Sequence, residues 1–158
     1  MPSIAWHVRA LALVLLLPLA VWSAATSVVV KIDRDVHHPD TQETVRVAQA
    51  RATIEIHANP KDASLVDLTL TLDATGTALD SQQTYRLFGL AKGTFKKATQ
   101  FPHIMPIACP VQFISERQSS GHPAMVLIGN VVEPGHGDPV LSLRQIILPQ
   151  PEPKEMMR

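Results

Sequence analysis

An all-β fold, either a single-domain antiparallel β-barrel or, failing closure, a β-sandwich, is predicted by three features of this 158-residue sequence. Several stretches alternate apolar and polar residues with period 2, the pattern of a strand with one buried face. The β-branched and large apolar runs of the C-terminal half are separated by clusters of Gly, Pro, Asn, Asp and Ser, the residues that make turns. No segment sustains helical periodicity. The residues from Arg46 to Arg51 alone have a composition that also suits a helix, and propensity by itself decides little. Seven or eight short strands within one domain's length fit a sandwich or a barrel.

In chain order, residues 1–25 read as a removable secretory signal. Arg9 and the amino terminus form a short positive region, and Ala10 to Val21 (ALALVLLLPLAV) is uncharged and apolar. Ser23-Ala24-Ala25 supplies the small residues that a signal peptidase reads. The apolar run is about 12 residues, short of the ~20 that a membrane-spanning helix needs, so no transmembrane anchor is expected after cleavage. The expected location is periplasmic or secreted. The domain is expected over 26–148, and the proline-rich tail 149–158 (PQPEPKEMMR, with its leading Pro149) is expected to be disordered.

Within the domain, Val28, Val30 and Ile32 share one face of a first strand, with Lys31 and Asp33 on the other. From Glu43 to His57 the alternation continues but changes parity: Val45 and Val47 are odd, Ile54 and Ile56 even. A strand whose parity switches carries a bulge, expected near Ala48 to Ala52. Val66, Leu68, Leu70 and Leu72 oppose Asp67, Thr69, Thr71 and Asp73 in the cleanest half-buried strand of the chain. Thr84 to Leu90 and Gly93 to Lys97 are shorter candidates. Pro110 to Arg117, Ala124 to Glu133 and Val140 to Leu148 then read as an antiparallel meander joined by the breakers 118–123 and 134–139.

Composition excludes more than it assigns. Lys and Arg together number 14, as do Asp and Glu, and the leader removes only Arg9. A neutral domain has no bulk charge with which to hold nucleic acid or an anionic membrane. The cluster Lys92 to Lys97 reads as a solvated face. Cys109 is the single cysteine, so no internal disulfide forms and the thiol is expected to be buried and inert; pairing between chains is the other reading.

The order of motifs resembles the YceI-like, polyisoprenoid-binding family of exported proteins over about residues 29–143. Lys31-Ile32-Asp33 resembles its opening strand, and Asp62 to Asp73 (DASLVDLTLTLD) its alternating strand. Phe101-Pro102-His103-Ile104 followed by Phe113-Ile114-Ser115 is similar to its aromatic-Pro-x-Ile and Phe-x-Ser elements. Gly129-Asn130-Val131-Val132 and Gly137-Asp138-Pro139-Val140-Leu141 are similar to its ending. The resemblance implies a lipocalin-like barrel whose lumen holds a long apolar chain such as an isoprenoid. The family's His-Ser after the first Ile-Asp is replaced by Arg34-Asp35. Its members also carry two further strands after the last motif, so the barrel would be incomplete, differently closed, or finished by another subunit.

If a lumen holds such a ligand, its lining comes from inward-facing strand residues, and the candidates are Leu68, Leu70, Leu87, Phe88, Phe113, Leu127 and Val131. Parity does not separate a lined cavity from an ordinary packed core. A second class of function is an interaction domain that engages another chain, a second copy included, through an unpaired edge or Cys109. The third is a metal-dependent enzyme. Its best ligands are the pairs His37-His38 and His136 with Asp138, although no zinc-binding spacing is present. There is neither a Gly-x-Ser-x-Gly elbow nor a phosphate-binding loop, so neither an enzyme nor a cofactor is expected.

Overall fold

The computed structural model describes residues 25–114 and 122–149. Seven strands follow one another: β1 (Thr26–His37), β2 (Thr44–Ala58), β3 (Leu65–Ala78), β4 (Thr84–Lys96), β5 (His103–Phe113), β6 (Met125–Glu133) and β7 (Val140–Ile147). Each pairs antiparallel with the next, so sheet order is chain order, and the sheet curls into a nearly closed barrel. There is no helix among the described residues. The leader expected over 1–25, apart from Ala25, and the tail beyond Pro149 lie outside the described residues, as does 115–121.

The period-2 reading places the core. Val45 and Val47, then Ala50, Ala52 and Ile54, are the buried positions of β2. The parity change coincides with a slip in the β2–β3 ladder between Arg46 and Ala50, so the expected bulge is present. A second slip lies between Lys31 and Arg34 of β1, where Asp33 takes a left-handed backbone (φ 52°). Residues 46–51 are strand rather than helix, because ladders on both sides outweigh a weak helical propensity. The candidates Thr84 to Leu90 and Gly93 to Lys97 fall in one strand, not two, which ends at Lys96.

One boundary is corrected. The strand expected at 110–117 is β5, which starts at His103 and runs through Pro106 and Pro110. The reason is directional. The Val111 carbonyl accepts from the Ala124 N–H, so Val111 turns its backbone toward β6. The alternation of a strand then turns Pro110 and Pro106 toward β4. Neither proline has an N–H to donate in that direction. The β4–β5 ladder accordingly consists of Leu87↔Phe113, Phe88↔Gln112 and Gly89↔Val111 alone. The single sheet therefore has two extensively laddered parts, β1–β4 and β5–β7, joined by one short ladder.

Gly129 permits the closest approach on the other side. A Cβ there would run into the Ser142 carbonyl and lie 3.1 Å from the Leu143 Cα, at the point where the β6–β7 register slips.

Candidate functional site

The interior is filled. Leu68, Leu70, Leu87, Leu127 and Val131 are sealed from solvent and Phe113 nearly so, in one apolar cluster with Ile54, Leu72, Met105 and Met125. A cavity with room for a water molecule would leave exposed surface on its walls. The 0% exposure of Leu70, Leu87, Leu127 and Val131 leaves none. Phe88 departs from the expected lining: it is 41% exposed on the outer face. It follows Leu87 directly, and successive side chains of a strand point to opposite faces.

The proposed metal ligands do not converge. His37 and His38 lie where β1 turns into β2, whereas His136 and Asp138 lie in the β6–β7 loop, which an up-and-down meander puts at the other end of the barrel. Among the described residues no group of three or more His, Cys, Asp or Glu side chains is placed to share a metal ion. His37 is exposed and its Nε2 stands 3.2 Å from Gln42 Oε1. His38 is 4% exposed, and its ring is 4.6 Å from Tyr85 and 4.5 Å from Phe113, centre to centre. Its Nδ1 accepts from the N–H groups of Asp40 (3.3 Å) and Thr41 (3.2 Å).

The feature that stands open is the seam between β1 and β7. The two strands lie side by side without a ladder. With seven strands in an up-and-down order, β1 and β7 run in the same direction. An apolar cleft of about 320 Å³ opens between them, lined by Val28, Val29, Val30, Val140, Leu141 and Leu143, with Lys31 at its margin. Val29 is 67% and Val140 55% exposed.

Backbone directions across the seam follow from the ladders. Asn59 donates to the Leu65 carbonyl, which fixes that pair as hydrogen-bonded and turns Ala50, Ala52 and Ile54 toward β1. Their partners Val30, Val28 and Thr26 face β2, leaving Ser27, Val29 and Lys31 with N–H and C=O toward β7. The same argument from Val111 and β6 leaves Leu141 and Leu143 facing β1.

The two breaks in the barrel differ in chemistry. The edges flanking the β4–β5 break carry Pro106 and Pro110 on one side and exposed Lys92 and Lys96 on the other, the residues that keep an edge from recruiting a strand. The upper half of β1 is likewise guarded, by its bulge and by Asp33 and Asp35, both ion-paired with Arg46. The stretch Thr26–Val30 has neither proline nor charge, and β7 carries no proline and one charged side chain, Arg144.

No family model, no curated protein and no solved structure matches this chain. The likeness to the YceI-like family rests on the sequence motifs alone. Sequence reasoning placed Val28 and Val30 on a buried face but missed the seam, because an unpaired edge is defined by a neighbour that fails to bond. The signal that was available is the absence of proline and charge from Thr26–Val30 beside their presence in Lys92–Pro110.

Proposed function

We propose that this chain is an exported interaction domain that takes up an extended segment of another polypeptide along the β1–β7 seam. The observation that carries this reading is an unguarded pair of edges that run in the same direction and do not bond. One strand antiparallel to both, admitted as β1 and β7 part to about two strand spacings (~10 Å), would meet the free groups of Ser27, Val29 and Lys31 on one side and of Leu141 and Leu143 on the other. It would complete an eight-stranded antiparallel barrel. Strand addition of this kind draws its affinity from main-chain hydrogen bonds and its selectivity from alternate side-chain pockets, here the apolar cleft. The segment that fits is extended, apolar on its inward face and free of proline.

A carrier of a lipid-like or isoprenoid molecule is the second reading. The apolar lining of the cleft favours it, with the chain then lying in the seam rather than in the filled interior. Panning a displayed library of random peptides against the wild type and against a Val29→Lys, Val140→Lys variant separates the two. Strand uptake predicts alternating apolar peptides enriched on the wild type alone, with amide shifts at Val28–Val30 and Leu141–Leu143. No enrichment on the wild type over the variant overturns it. A hydrocarbon-chain adduct in the native mass spectrum, recovered in an organic extract, would support the carrier instead.

A further inference from the structure

Among the described residues, three rings and the loop 38–43 lie together at the end of the barrel that holds the β1–β2 turn. His38, Tyr85 and Phe113 come from the β1–β2 turn, the start of β4 and the end of β5. Tyr85 and Phe113 meet edge to face at 5.9 Å, and the His38 ring lies against both. At this same end stand the buried strand-end residues Val36, Val45, Ala78, Leu87 and Met125.

Loop 38–43 is held through His38 at four points. Its N–H donates to the Glu43 carbonyl (2.9 Å) and its carbonyl accepts from the Gln42 N–H (3.0 Å). Its Nδ1 accepts from the Asp40 and Thr41 N–H groups. Those last two bonds need a lone pair on Nδ1, which only the neutral ring with its proton on Nε2 provides. A protonated imidazole turns N–H toward N–H at both contacts and puts a cation into a site that is closed to water.

We propose that His38 is the latch of an acid-released cap: while neutral it pins loop 38–43 over the aromatic trio, and once protonated it lets that loop lift from this end of the barrel. Among the described residues, its own turn contributes Asp40, Glu43 and the neighbouring His37, β4 contributes the Tyr85 phenol, and β5 contributes the Phe113 ring. Burial is the largest influence and lowers the His38 pKa; Asp40 and Glu43 work against it and His37 with it. Glu43 is itself held below the usual carboxylate range by hydrogen bonds from Ser81, Tyr85 and Thr41. Those hydrogen bonds favour its ionised form.

The sign follows from linkage. The unfolded or lifted loop takes up a proton near the ordinary histidine value of about 6.5, and the closed form takes it up only at lower pH. The contribution of the latch is fully present above about pH 6.5 and is lost as pH falls through the lowered value of the closed form. This device is independent of the seam, and neither stands or falls with the other.

The test is an NMR titration of the full chain from about pH 7.5 to about pH 5, the window in which a histidine can act as a switch. It reads the His38 ring, the amide protection of Asp40 and Thr41, and the ring signals of the chain's single tyrosine, Tyr85. We expect Asp40 and Thr41 to lose protection and Tyr85 to shift together with the His38 titration, while Leu70 and Leu72 stay protected. His38→Gln keeps an acceptor and cannot titrate in this window, so its loop amides should be insensitive to pH. Three results would each overturn the proposal: flat protection across the titration, a loop release that persists in His38→Gln, or simultaneous loss of protection in β3.

Discussion

Leu70 and Val29 show how much a single position depends on the face it occupies. Leu70 is sealed within the core, and Val29 is exposed beside the seam. Leu70→Ala should cost about 2–5 kcal/mol, because the cavity it leaves cannot collapse inside a packed barrel. Val29→Thr should stay within about 0.5 kcal/mol of the wild type, and denaturant titration checks both. Cys109 extends the argument to reactivity. Its thiol is buried and its pKa is pushed up to about 11 by that burial, so almost no thiolate exists at neutral pH. An alkylating reagent should leave the native protein unlabelled and label it stoichiometrically once unfolded, read by intact mass. A native protein that labels within minutes would mean that this strand opens readily.

At the scale of the element, β5 is defined as much by missing donors as by apolar side chains. Pro110→Ala restores an N–H aimed at β4, opposite Leu90. The β4–β5 ladder should then extend by one bonded pair, seen as a protected amide at position 110. Gly129→Ala tests the opposite strand junction. Its new Cβ would press on the Ser142 carbonyl, so β7 must shift or part from β6, and the β7 amides that face β6, Ser142 and Gln145, should lose protection before those of β3. Both elements are visible in the sequence as strand candidates. Which of their edges bonds is not, since that depends on the direction in which each peptide group points.

For the molecule as a whole, one short ladder and one unbonded seam separate β1–β4 from β5–β7. Cooperative units follow continuous ladders, so hydrogen exchange should show the β5–β7 amides opening at lower free energy than those of β2–β4. Equal opening energies throughout would show that the shared apolar core, rather than the ladders, sets cooperativity. The same geometry explains why the expected lining became a core. Inward-facing Leu, Ile, Val and Met side chains of a narrow barrel meet at its axis and fill it.

Much of this fold was legible from alternation alone. Strand identity, the bulge in β2 and the buried faces of β1, β2 and β3 follow from period 2, because a strand sends every second side chain to the same face. The breaker at 134–139 marks the turn between β6 and β7 through residue types that favour it. Three things were decided only in three dimensions: that β1 and β7 stand together without bonding, that His38 is enclosed by Tyr85 and Phe113, and that His136 lies at the far end from His37. Each is a relation between residues distant in the chain. Local periodicity constrains which way a side chain points, and only closure of the barrel determines what it meets.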